Sequence, residues 1–291
     1  MPVPSTFSIA AYDSEENAWG VAVASKFLAV GAVVSWAEAG VGAVATQAHA
    51  NTSFGPRGLA LMRSGLSAVE TLERLRADDP QIDKRQVGLV DARGGSASFT
   101  GADCFEWAGG RTGPGFAIQG NILTGPEVVE AMQAAYTAAA GSGNTFTWRL
   151  HAALLAGDRA GGDRRGRQSA AILVVKPQGG YGGFNDRWID YRVDDHPDPV
   201  VRLGELLALR DLYFEKSPPE DQVTLRGEPL SRLQVILSQR GYYSGLAHGE
   251  YDAATRQALD AFIGADNFEE RFDPGQVWLH RPVLEHIYEK I

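Results

Sequence analysis

Cysteine is nearly missing from this chain. Of 291 residues only Cys104 is one, so no intrachain disulfide can form. Long apolar runs are missing too. No stretch reaches the roughly 18 apolar residues that a membrane-spanning helix needs. Met1 to Tyr12 carries no Lys or Arg, and polar residues soon follow its short apolar run, so no secretory signal is expected. These shortages predict a cytoplasmic chain with no membrane partner. Positive charge is the third shortage. Lys and Arg total 27 against 36 Asp and Glu, a formal net charge of −9. Nucleic-acid affinity rests on clustered positive charge. The one basic cluster, Arg164, Arg165 and Arg167, is short and set among glycines, so no nucleic-acid partner is expected.

What is present is an ordinary globular composition, 44% hydrophobic and 22% charged, over a length that suits two domains. The first fifty residues are patterned as strands. Thr6 to Tyr12 and Trp19 to Ser25 flank a polar turn and predict a hairpin. Gly31 to Trp36 and Val41 to Gln47 repeat the pattern. Gly58 to Arg76 then places apolar residues every three or four positions, which predicts one helix. Gln86 to Asp91, Ser96 to Thr100 and Phe116 to Gln119 are strands by the same signals. Glu127 to Ala140 and Phe146 to Ala156 are helices, and Ser169 to Val175 and Trp188 to Val193 are strands. Blocks of strands between blocks of helices suit two stacked antiparallel sheets with helices outside, an α+β arrangement, rather than alternating βαβ units. Asp198 to Phe214 is a helix, and Ser217-Pro218-Pro219-Glu220 breaks the chain. The expected domains are 1–216 and 217–291.

The segments "TFSIAAYD", "WGVAVASKFLAVGAVVSWAEAGVGAVATQAHANTSFGPRGLALM", "QGNILTGPEVVEAM", "GGDRRGRQSAAILVV" and "DRWIDYRVDDHPDPV" resemble the domain-of-unknown-function 1028 family. That family is grouped with the N-terminal-nucleophile (Ntn) hydrolases. The resemblance implies a four-layer αββα sandwich of Ntn-hydrolase type. It also implies an amide-bond hydrolase acting on a small-molecule or peptide-like substrate, with no cofactor. A second, non-catalytic use of the same fold, binding a ligand or scaffolding an assembly, stays open.

An Ntn enzyme attacks with a Thr, Ser or Cys at a newly exposed N-terminus, its own α-amine or a nearby group taking the proton. The resemblance implies Thr6 as nucleophile, which requires a cut after Ser5. Proteasome-like members carry a Lys on the third strand. That strand has none here, and the nearest candidate base is Lys26. Gln47 follows a buried strand and precedes a helix, where an amide can stabilise an oxyanion. His49 and Asn51 lie in the same stretch as candidate substrate ligands, although Asn51 or Thr52 can equally cap the helix. Asn121 in "QGNIL" and Asp163 and Arg165 in "GGDRRGRQS" are further candidate binding residues. Asn121 can also simply make a turn, and Asp163 with Arg165 a solvated ion pair. Asp194, Asp195 and His196 could hold a metal but suit a helix cap at Asp195 or Asp198 better, so no metal site is assigned. Cys104 has no activating motif beside it.

"LSRLQVILSQRGYYSGLAHGEYDAATRQALDAF" resembles the peptidoglycan-binding-like helical module, through Leu233-Gln234, Gly241-Tyr242-Tyr243, Tyr251-Asp252 and Phe262. The resemblance implies a small all-α domain, with Asp252 capping its second helix and Trp278 to Ile291 forming a third. Peptidoglycan fragments are the partner it implies. An interdomain contact or a homo-oligomer contact is the alternative.

Overall fold

The computed structural model describes residues 6–273 and 275–289. Residues 1–5, and with them the expected cut after Ser5, lie outside the described residues. The chain divides into two units, Met1–Leu206 and Leu207–Ile291.

In the first unit, β1 (Thr6–Asp13) and β2 (Ala18–Ser25) form the expected hairpin. Next come α1 (Gly31–Val34), β3 (Ser35–Glu38), β4 (Gly42–Ala48), α2 (Phe54–Arg63) and α3 (Ala68–Ala77). After them come β5 (Arg85–Asp91), β6 (Ser96–Thr100), β7 (Gly109–Gly113) and β8 (Phe116–Asn121). The helices α4 (Glu127–Ala140) and α5 (Phe146–Arg159) follow, then β9 (Ser169–Val175), β10 (Arg187–Val193) and α6 (Pro199–Phe214). The last of these contains the division between the units.

Two sheets result, in the orders β10-β9-β2-β1-β8-β7 and β3-β4-β5-β6. Every neighbouring pair is antiparallel. They stack face to face over a core of small and branched residues. Ala10, Val21 and Ala117 come from one sheet, and Ala43, Ala45 and Val90 from the other. On the outer face of the four-stranded sheet, α2 and α3 bury Phe54, Leu59 and Leu75 against Val44, Val87 and Leu89. On the outer face of the six-stranded sheet, Phe146 and Leu150 of α5 sit over Gly20.

Two local expectations fail for physical reasons, and one strand was not expected. Gly31 to Trp36 is not one strand. Its first four residues turn as α1, where Gly31 lies so close to Ala171 that no side chain fits. Gly58 to Arg76 is not one helix. Gly65 takes φ 103°, and Ser67 opens α3 with a capping box in which Ser67 and Glu70 bond each other's backbone N–H. The glycine-rich strand β7 carries no apolar alternation and gave no strand signal.

The second unit packs α7 (Glu228–Gln239), α8 (Ala253–Ala265) and α9 (Arg281–Glu289) around Leu233, Leu237, Leu259, Phe262 and Phe268. It is not all-α. β11 (Gln222–Thr224) pairs with β12 (Trp278–His280), so Trp278 begins a strand rather than the last helix. Asp252 does cap α8, accepting from Thr255 N at 2.7 Å. Gln234 is fully buried. Its amide donates to Thr255 Oγ1 at 2.7 Å and accepts from Gly249 N at 2.9 Å, tying α7 to the loop before α8.

Gly20 supplies the first prediction. A Cβ there would lie 2.9 Å from Leu150 Cδ1 and 3.0 Å from the Leu173 carbonyl oxygen. Gly20→Val is therefore expected to destabilise the first unit by about 1–3 kcal/mol through overpacking, as measured by urea unfolding.

Candidate functional site

Between the two sheets lies a seam of buried polar side chains. Ser8, Gln47, Gln86 and Gln119 are each 0% exposed and Asn121 is 1%. Strand alternation turns Thr6 and Ser8 of β1 toward the facing sheet. The pairings Ser8 with Gln119 and Gln47 with Gln86 set two amide-bearing rungs opposite one another. The bonds then run in one direction. Gln119 Nε2 donates to Ser8 Oγ at 2.6 Å, and Ser8 Oγ donates to Gln47 Oε1 at 2.5 Å. Gln47 Nε2 donates to Gln86 Oε1 at 2.8 Å and also reaches the Thr6 carbonyl at 3.2 Å. Gln86 Nε2 donates to Gly120 O at 2.7 Å and Thr100 Oγ1 at 2.9 Å, while Asn121 Nδ2 donates to Gln86 Oε1 at 3.0 Å.

Thr6 stands at one end of this seam, heading β1. It is fully buried, and its Oγ1 donates to Ser25 Oγ at 3.3 Å. The structure thus brings Thr6, Gln47 and Asn121 together. It does not bring the Lys26 ammonium to them. Lys26 is exposed, and its Nζ donates to the Arg167 carbonyl at 3.1 Å. Nor are the Gln47 N–H groups open to a ligand, since Thr6 O, Gln86 Oε1 and Gln119 O already accept from them.

Asp163 acts from outside the seam. Its Oδ2 accepts from Lys26 N at 2.6 Å, and Arg165 closes an ion pair on it at 3.2 Å. The carboxylate therefore fixes the chain just past Ser25, which pairs with Thr6. Gly161, Gly162 and Gly166 all take positive φ in this loop. A cavity of about 420 Å³ opens beside it, bounded by Phe7, Ser25, Asp158, Arg159, Asp163 and Arg167 among others.

His49 and Asn51 are bound elsewhere. The His49 carbonyl accepts from Arg85 at 2.5 Å, and its ring lies 6.3 Å from that of Phe105. Asn51 Nδ2 donates to Asp79 at 2.8 Å, and its Oδ1 accepts from Ser53 N at 3.1 Å, the local turn ahead of α2. Burial pushes the Asp79 carboxyl up, but hydrogen bonds from Asn51, Arg85 and Gln81 N outweigh it and hold the group below its ordinary value. Asp195 accepts from Gln168, His196 Nδ1 accepts from Asp198 N, and Asp198 pairs with Arg167. Among the described residues no three His, Cys, Asp or Glu side chains gather to hold a metal ion. Burial pushes the Cys104 thiol up, which opposes thiolate formation.

Ser25, Gln86 and Gln119 were missed as site residues. Their signal was a glutamine or serine inside a strand otherwise made of apolar residues, as in "QVGLVD" and "FAIQGN".

The first unit matches a known family. The model of a family of unknown function, DUF1028, matches residues 6–203, and the chain belongs to that family. The model described as "Putative peptidoglycan binding domain" matches residues 213–285. The crystal structure of protein SPO2555 from Silicibacter pomeroyi, a DUF1028 protein, is 32% identical at a TM-score of 0.64. The match covers 71% of this chain and 89% of that one. No curated protein matches the chain.

Two outcomes follow from these bonds. Gln86→Leu removes an acceptor of Asn121 Nδ2 and the donor to Thr100 and Gly120, so a loss on the order of 3 kcal/mol is expected in urea unfolding. Ser98→Ala, whose hydroxyl meets Gln119 only at 3.5 Å, should cost under about 1 kcal/mol. Asp79, lowered in the folded state, contributes stability that is present above its ordinary value near 3.8 and lost as pH falls below it. Asp79→Asn should therefore be less stable at neutral pH. The gap to the unmodified protein should narrow below about pH 4 in acid titrations of unfolding.

Proposed function

We propose that residues 6–203 form an Ntn-type amide hydrolase with Thr6 as nucleophile. The observation that carries the proposal is the position of Thr6. It heads the central strand of a sheet stacked on another between helical layers, with its hydroxyl on Ser25 and its carbonyl held by Gln47. A threonine hydroxyl needs a base close by. The side chains bonded to Thr6, Ser25 and Gln47, are neutral, and the Lys26 ammonium is engaged with the Arg167 carbonyl, so the base is the α-amine that a cut after Ser5 would free. Gln47, with its N–H groups committed, positions Thr6 rather than binding an oxyanion. Asp163 and Arg165 hold the end of β2, which keeps Ser25 opposite Thr6. The substrate is a small-molecule or peptide-like amide entering by the cavity that Ser25 borders.

A second reading rests on one observation. The glutamines of the seam are bonded to one another and to Ser8, and Thr6 is fully buried, which suits a non-catalytic, ligand-binding use of the same fold. For the second unit, peptidoglycan fragments are the proposed partner, on the strength of the family match alone. No described helix is long and apolar enough to cross a membrane.

Intact-mass measurement and assays on a panel of small amides and short peptides decide between the readings. The hydrolase predicts a chain beginning at Thr6. In Thr6→Ala it predicts an uncut chain with hydrolysis reduced by at least about 10³-fold. An uncut chain whose hydrolysis survives Thr6→Ala would sink the assignment of Thr6, and an uncut chain with no hydrolysis would leave the binding protein.

A further inference from the structure

The cavity beside Ser25 carries more than its position. One part of its lining is apolar, from Phe7, Ala24, Pro197 and Pro199. The other part is charged, with Asp158 and Asp163 set beside Arg159 and Arg167. Asp158 is held by Arg167 Nε at 2.7 Å, and a second nitrogen of Arg167 reaches Asp198 at 3.0 Å. Asp163 is matched by Arg165. Arg159, the last residue of α5, is exposed and meets no acidic partner among the described residues. Each carboxylate of the wall is thus paired, Asp158 with Arg167 and Asp163 with Arg165 behind the lining, and Arg159 is the guanidinium of the wall without an ion pair among the described residues.

We propose that this cavity binds a small molecule with one carboxylate, which Arg159 takes in a two-point ion pair while the apolar wall covers a hydrocarbon group. A guanidinium matches a carboxylate through two parallel N–H bonds. One unpaired guanidinium offers a partner to one carboxylate. A phosphate dianion would bring a second negative charge beside Asp158 and Asp163, and among the described residues the wall has no further unpaired cation to meet it. The volume, about 420 Å³, suits a ligand of the size of an acylated amino acid. As a statement about substrate, this rests on the hydrolase proposed above, whose amide would then carry a carboxylate. As a statement about binding, it does not.

The test uses the full chain and two probes, N-acetyl-L-leucine and its neutral analogue N-acetyl-L-leucinamide, with affinity measured by calorimetry. The acid is expected to bind at least about tenfold more tightly than the amide. Arg159→Gln should bring the acid down to the level of the amide, and Arg159→Lys should keep part of the preference. Equal affinities, no binding of the acid in the millimolar range, or a preference that survives Arg159→Gln each overturns the proposal. The two proposals fail separately. Hydrolysis confined to neutral amides leaves the hydrolase standing and removes the role of Arg159. Acid binding that needs Arg159 without any hydrolysis does the reverse.

Discussion

Everything in the first unit is arranged around the hydrogen bonds that join Gln119, Ser8, Gln47 and Gln86 between the sheets. A buried amide or hydroxyl without partners costs a few kcal/mol, and four such side chains in an apolar interior would rival a typical domain's stability. They are tolerable only as a closed set. Closure fixes the register of β1 against β8 and of β4 against β5 at once, because a slip of one residue turns each amide to the outer face. It also fixes the distance between the sheets. Gly88 is hydrogen at the point where Gln119 crosses, since a Cβ would collide with that side chain. The small inner residues Ala10, Ala43, Ala45 and Ala117 follow from the same close approach.

The seam also determines what Thr6 can do. Its carbonyl is held by Gln47 and its hydroxyl by Ser25, while Ser25 is kept in line by the backbone bond from Lys26 to Asp163. The glycine loop at 161–166 is therefore part of the site without touching Thr6. Its positive-φ glycines let Asp163 turn back under β2. Rigidity of this kind suits preorganised chemistry, where groups are fixed before the substrate arrives.

The order of strand and helix blocks was legible, because period-two and helical spacings are strong over long segments. Thr6 to Ser25 and Phe146 to Phe214 form as their patterns imply. What was not legible lay where one or two residues override the pattern. Gly65 and the Ser67 cap split a helix whose apolar spacing runs on unbroken. The close approach of Gly31 to Ala171 turns a run of apolar residues into α1. In the site, Gln47 and Asn121 stood out as polar residues among apolar ones. Their partners did not, since a bond from Gln47 to Gln86 depends on strands 39 positions apart in sequence. Lys26 shows the opposite limit. Its neighbour Ser25 pairs with Thr6, but strand alternation and the pull of Arg167 O send the ammonium away.

In the proposed hydrolase, that outward Lys26 has a consequence for how activity would be controlled. Where a side chain serves as base, a nucleophile can act whether or not the chain has been cut. Here the groups bonded to Thr6, or to its immediate partners in the seam, are hydroxyls and amides, none of which takes a proton near neutral pH. The strand absent of lysine and the lysine that points elsewhere amount to the same restriction. In that proposal the base for Thr6 is its own amine, with an unperturbed pKa near 8, and that amine exists only after cleavage. Processing and catalysis then become one property of the chain. A fold whose buried amides already hold Thr6 in place would need no rearrangement after the cut, only the removal of one peptide bond.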